Sequence, residues 1–177
     1  MKIIVDAMGG DNAPLAPVEG ALRAQKELGV EILLTGRTEE ILSCLDQLGH
    51  KTIPKGVEIA PASQVILMED NPARAFKEKP DSSMTVGLKL LKEGSGDAFV
   101  SAGSTGALLS AATLIVKRIR GIRRAALAPV VPTGGTWSSS TVAPLPSVLR
   151  STYCSLPTWA PTTPSASWAL PTPGWRC

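Results

Sequence analysis

The chain has 177 residues, Lys and Arg totalling 18, Asp and Glu 15, a formal net charge of +3 and a single His. That length suits one domain or slightly more; three Cys (Cys44, Cys154, Cys177) without a CxxC pair exclude a disulfide framework and a zinc site, and His50 alone leaves no second histidine for a catalytic triad. Ala107–Val116 is too short and too interrupted by Ser110 and Thr113 to span a bilayer, Asp6 ends the first apolar run too early for a signal peptide, and a cytoplasmic, reducing compartment is expected.

Along the chain, Lys2–Val5 reads as a short β-branched strand ending in Asp6, followed by the glycine-bearing loop Ala7–Pro14. Val18–Leu28 has helical spacing, Glu31–Thr35 reads as a strand, and Thr38–Leu48 as a helix capped by Thr38 with Ile41, Leu42, Leu45 and Leu48 on one face. Val57–Ala60 is a third strand and 61–83 is less regular. Asp81 or Ser82 caps a helix through Leu91, stopped by Gly94. Asp97–Ser101 is a strand, Gly103–Gly106 a tight turn, Thr105–Ile119 an apolar helix and Ala125–Val131 a last strand. Strands alternating with helices predict an α/β fold: a parallel-sheet, three-layer, Rossmann-like arrangement, here partial, over residues 1–135. Ligands of such sheets bind at the carboxyl ends of the strands.

Three loops at those ends carry chemistry. In Ser101-Ala102-Gly103-Ser104-Thr105-Gly106, two glycines permit close backbone approach, and the hydroxyls and free N–H groups of a helix start suit an anion. No lysine follows as in a nucleoside-triphosphate loop, and an ordinary capped turn is the plain alternative. In Asp6-Ala7-Met8-Gly9-Gly10-Asp11-Asn12, the carboxylates and the amide would orient a pocket, or Asp11 or Asn12 would cap the next helix. Ser82 and Ser83 add hydroxyls at a helix N-terminus. The basic run Lys117–Arg124 closes a helix, where cations suit the dipole; Arg118, Arg120, Arg123 and Arg124 form either a solvated end or a docking patch for an acidic partner. Cys44 reads as a packed core thiol.

Together, Lys2–Pro14, Asp70–Met84 and Asp97–Leu108 resemble the bacterial phosphate acyltransferases (acyl-ACP:phosphate transacylases, PlsX-type) over roughly Met1–Gly135, with Ser104 where members often have Asn. The resemblance implies a transferase that moves a fatty acyl group from acyl-carrier protein to inorganic phosphate, giving acyl phosphate for phospholipid synthesis, without a cofactor or metal. It also implies a homodimer with peripheral membrane contact and acyl-carrier protein and phosphate as partners; no nucleic-acid partner is expected, because the mild net charge is not spread over the whole chain. Ser101, Gly103, Ser104, Thr105, Gly106, Ser82 and Ser83 would bind phosphate; Asp6, Gly9, Gly10, Asp11 and Asn12 would orient the pocket; the four arginines would receive the carrier; no general acid is assigned. The alternatives are a non-enzymatic fragment and another phosphate-binding α/β enzyme, such as an acetyl-phosphate-forming transferase; the absence of GxGxxG after the first strand counts against a dinucleotide enzyme.

Residues 136–177 break every pattern. All 15 acids lie at or before Asp97, while Trp137–Cys177 holds no Asp, Glu, Asn, Gln, Lys or His, and its scattered prolines allow no long helix. An irregular, disordered tail is expected. Read one base back from Trp137, however, the codons can spell Leu-Val-Leu-Leu-Asp-Cys-Gly-Ala and then Pro-Glu-Tyr-Leu-Leu-Gln-Phe-Ala-Tyr-Met-Gly, which resemble the family's continuation. The tail is therefore expected to be an out-of-frame translation, and the chain as written to be inactive.

Overall fold

In the computed structural model, residues 1–118, 130–133 and 136–139 are described. Chain contacts divide it into Met1–Lys117 and Arg118–Cys177. The first unit runs β1 (Lys2–Asp6), α1 (Leu15–Leu28), β2 (Glu31–Gly36), α2 (Thr38–Gln47), β3 (Val57–Pro61), α3 (Ala75–Glu78), α4 (Ser83–Lys92), β4 (Ala98–Val100) and α5 (Thr105–Ile115). The four strands form one parallel sheet in the order β3-β2-β1-β4.

Alternation along the strands builds two cores. Ile32 and Leu34 of β2 pack with Val18 and Ala21 of α1 and with Ile41, Cys44 and Leu45 of α2. A second core joins Phe76, Met84, Leu88, Ala107 and Ala111 of α3, α4 and α5, with Phe99 of β4 against it. The expected α/β arrangement with helices on both faces of a parallel sheet is what the chain adopts. Cys44 is buried in the first core, and burial together with nearby Glu40 pushes its thiol pKa up.

Several boundaries differ from expectation. α1 begins at Leu15 rather than Val18, because Pro17 falls in the first turn, where its missing N–H has no intrahelical acceptor to lose. Its cap position is Pro14, and no side chain caps it, so neither Asp11 nor Asn12 has that role. Arg37, not Thr38, occupies the cap of α2. Leu42 lies off the buried face, which Cys44 fills instead. α5 ends at Ile115, not Ile119: Lys117 turns left-handed at φ 75°, and its N–H donates to the Ala112 carbonyl. The helix therefore closes before the basic run rather than within it.

In the second unit, β5 (Val130–Thr133) pairs antiparallel with β6 (Thr136–Ser139), so a short strand stands where an irregular tail was expected to begin. The predicted strand over 125–131 overlaps β5 only at Val130 and Val131, its earlier residues lying outside the described ones. Among the described residues no helix is long and apolar enough to cross a membrane.

Candidate functional site at the switch point of the sheet

From β1 the chain winds outward through β2 to β3, then returns across the sheet through α3 and α4 to place β4 on the other side of β1. The strand order thus reverses between β1 and β4. Loops leaving neighbouring strands at such a point diverge to opposite faces and open a crevice. Here those loops are Ala7–Asn12 and Ser101–Ser104, two of the three singled out from the sequence.

Asp6 ends β1 with only 2% of its surface exposed. Its Oδ1 accepts from the Met8 N–H at 3.1 Å, and its Oδ2 accepts from the Ser101 hydroxyl at 2.7 Å. Ser101 Oγ in turn accepts from the Gly103 N–H at 3.1 Å. The carboxylate thus holds the second loop through one serine. The loops also touch through backbone: a methyl placed on Gly9 would lie 2.8 Å from the Gly103 nitrogen and 2.9 Å from both Asp6 Oδ2 and Ser101 Oγ. Only glycine fits there. Gly10 has φ 105°, which turns the first loop away from β1.

Ser104 is the N-cap of α5, its hydroxyl accepting from the Ala107 N–H at 3.5 Å. That cap leaves the Thr105 and Gly106 N–H groups without acceptors inside the helix, and both residues are exposed. Exposed amides at a helix start, with the positive end of the dipole behind them, suit an oxyanion.

Other predicted site residues stand differently. Ser82 is fully buried and caps α4, accepting from the Thr85 N–H at 3.3 Å and donating to Thr85 Oγ1 at 2.7 Å. Ser83 is buried as well, and its N–H donates to the Gln64 carbonyl. Among the described residues no hydrogen bond joins either serine to the Ser101–Gly106 turn. α4 reaches that turn through Met84 instead, whose Cε would lie 3.4 Å from a methyl on Gly103. Asp11 and Asn12 are exposed, and the Asn12 carbonyl accepts from the Ala16 N–H. Arg118 is exposed; Arg120, Arg123 and Arg124 lie outside the described residues.

The 62–82 segment contributes a neighbour that the sequence does not mark as a site residue. Pro72 lies against the α5 start, its Cβ 3.1 Å from where a Gly106 methyl would be. Two carboxylates secure this segment. Asp70 pairs with Lys79, which also donates to the Val65 carbonyl at 2.9 Å. Asp81 accepts from the Ser63 N–H at 2.9 Å and from the Ser63 hydroxyl. The Lys79 bond and the Leu67 N–H hold the Asp70 carboxyl below its usual range, as the two Ser63 bonds do for Asp81. The one signal in the sequence was Asn71-Pro72, since a residue before proline is kept out of the helical region and begins a new turn; the Asn71 carbonyl accepts from the Arg74 and Ala75 N–H groups.

Known proteins share this framework. A family model described as fatty acid synthesis protein matches residues 1–142. The phosphate acyltransferase of Dictyoglomus turgidum is 48% identical over 133 residues, which are 75% of this chain and 39% of that protein. The phosphate acyltransferase of Acetivibrio thermocellus is 50% identical over 134 residues, with the same shares. The chain therefore spans about two-fifths of the length of these relatives. A solved phosphotransacetylase from Streptococcus pyogenes superposes with a TM-score of 0.52 at 24% identity, covering 70% of this chain and 40% of that one; the likeness is one of fold.

Proposed function

We propose a function from the premise that the chain belongs to the fatty acid synthesis protein family, whose curated relatives are phosphate acyltransferases: its switch-point crevice binds inorganic phosphate as acceptor for an acyl group. The observation that carries the reading is the α5 start, where exposed Thr105 and Gly106 amides follow a glycine turn pinned to β1 by Asp6 and Ser101.

The proposed reaction is attack by a phosphate oxygen on the carbonyl of an acyl thioester. The carbon–sulfur bond breaks, a phosphate–acyl bond forms, and the thiolate leaves to take a proton. What these residues do is hold the attacking anion. The helix start offsets its charge, and the rigid turn fixes its position before the thioester arrives. Asp6 supports the turn rather than touching phosphate, because both its oxygens are engaged. Ser82 supports α4 in the same indirect way.

The acyl donor in this reading is acyl-carrier protein, the product acyl phosphate feeds phospholipid synthesis, and the compartment is the cytoplasm. The run Arg118–Arg124 is the proposed landing place of the acidic carrier, and a family homodimer with membrane contact belongs to the longer relatives. In this reading the matched part, 39% of the length of the relatives, carries the phosphate cradle, and acyl transfer is proposed for the whole enzyme.

Titration of the purified chain with inorganic phosphate, followed by amide NMR, tests the binding step. Shifts centred on Thr105 and Gly106 are expected, with none in α2. A titration that leaves those two amides unmoved refutes the site. Hydroxylamine trapping of acyl phosphate, with acyl-carrier protein as donor, checks turnover.

A further inference from the structure

The 62–82 segment is a loop with a zipped neck and a bare tip. At the neck, Asp81 accepts from the Ser63 N–H and hydroxyl, the Gln64 N–H donates to the Asp81 carbonyl, and the Ser83 N–H donates to the Gln64 carbonyl. Farther out, Ile66, Ala75 and Phe76 pack into the second core. Between Ile66 and Ala75 no residue is buried, and from Leu67 to Arg74 all but Asp70 are exposed. Apolar packing therefore places the limbs of the loop but not its tip.

A side chain tethers the tip instead. Among the described residues, no backbone hydrogen bond joins 65–70 to 75–80. Lys79 makes that crossing. Its Nζ donates to the Val65 carbonyl at 2.9 Å and to Asp70 Oδ2, the same oxygen that accepts from the Leu67 N–H at 2.7 Å. One ammonium thus ties the returning limb to the outgoing limb and to the tip. The two side chains are only 28% and 24% exposed, so solvent screens this pair less than a surface bridge.

Pro72 stands two residues beyond Asp70, with its Cβ against the start of α5 at Gly106. The Asn71 side chain accepts from the Ala73 N–H at 3.0 Å, and the Asn71 carbonyl accepts from the Arg74 and Ala75 N–H groups. This turn makes Pro72 move as one piece with its neighbours. Where Asp70 goes, Pro72 follows, and Asp70 is held by Lys79.

We propose that Lys79 is a positioning residue for the phosphate site: its clamp on Val65 and Asp70 holds Pro72 against the start of α5 and so fixes the Thr105 and Gly106 amides. This role rests on the phosphate reading of that helix start. Lys79 acts through the loop and does not touch the anion, since its ammonium is engaged by the two loop oxygens. A lysine could also aid an anion by its charge alone, and the two modes predict opposite signs for Asp70. Removing the Asp70 carboxylate frees the Lys79 charge, which strengthens anion binding if charge is what matters. The same change opens the clamp, which weakens binding if position is what matters.

Titration of the 177-residue chain with inorganic phosphate, read at the Thr105 and Gly106 amides, decides it. Lys79→Met should weaken phosphate binding about tenfold and displace the Gly106 amide already in the phosphate-free chain, with the β2 amides unmoved. Asp70→Ala should weaken binding to a similar extent. Pro72→Gly should do so as well, and Lys79→Met added to it should have little further effect, because both act along one route. Full-strength binding by Lys79→Met, tighter binding by Asp70→Ala, or additive losses in the double variant overturns the role. If the parent amides ignore phosphate, the phosphate reading itself fails. The clamp is then judged on the phosphate-free Gly106 amide, and a Lys79→Met spectrum that leaves it in place overturns the clamp too.

Discussion

Gly9 and Ser101 do different work in the same contact. The Gly9 α-carbon faces a backbone nitrogen and two engaged oxygens, none of which is the yielding end of a flexible side chain. Gly9→Ala must therefore part the loops, at a cost of about 1–3 kcal/mol, the usual range for overpacking. Gly20 is the control, because a methyl there meets nothing within 4 Å inside α1. Gly20→Ala should stabilise by about 0.5–1 kcal/mol, so urea unfolding of the two variants should move in opposite directions. Ser101→Ala removes the donor to a buried carboxylate oxygen and the acceptor of the Gly103 N–H together. A loss of about 1–3 kcal/mol is expected, read from the same unfolding curves. Equal midpoints for Ser101→Ala and the parent would mean that Asp6 finds another donor.

The segment between β3 and α4 has little regular structure, yet it places Pro72 against the start of α5. Its order rests on Asp70 and Asp81, whose carboxyls sit below their unfolded values of about 4. A depressed folded-state pKa adds stability at neutral pH, and that contribution is lost as pH falls from the unfolded value through the folded one. Acid should therefore loosen this segment before the sheet. Hydrogen exchange in 62–82 should rise below about pH 4 while β2 stays protected. Asp81→Asn should loosen the segment already at neutral pH and flatten its remaining acid dependence. α4 and α5 show how caps transmit sequence into element boundaries. Ser82 was one of two caps read for α4, because a short hydroxyl before an apolar run satisfies orphan amides, whereas at Ser104 a capped turn stood only as the alternative to anion binding. Thr38 misled for the same reason: the chain turns one residue earlier at Arg37, whose guanidinium reaches Glu40 at 2.7 Å.

At the scale of the molecule, the alternation of strands and helices made the parallel sheet legible, because β-branched runs such as Ile3-Ile4-Val5 and capped helices carry their own periodicities. That the Gly9 and Gly103 loops lie at the carboxyl edge of the sheet followed from the rule for strand ends. The strand order that brings them together was not readable, since nothing in the local sequence of β4 states that it lies beside β1. The commitment of Ser82 to Thr85 was hidden too: a hydroxyl at a helix start looks alike whether it serves a ligand or its own helix. The fold as a whole leans on the core around β2, where Leu34 is fully buried among α1 and α2 residues. Leu34→Ala should cost about 2–5 kcal/mol and broaden the whole amide spectrum rather than one loop.

The bond between Asp6 and Ser101 joins residues 95 positions apart. β1 is made first and pairs early with β2, but the side that faces the crevice waits for the last strand of the sheet. During synthesis Asp6 therefore stands bare until Ser101 has cleared the ribosome. Contacts of such long range form late, after the entropy of closing the intervening chain has been overcome. The pinned glycine turn, on which the proposed phosphate site rests, therefore forms only after Ser101 has emerged and is absent from every shorter nascent form.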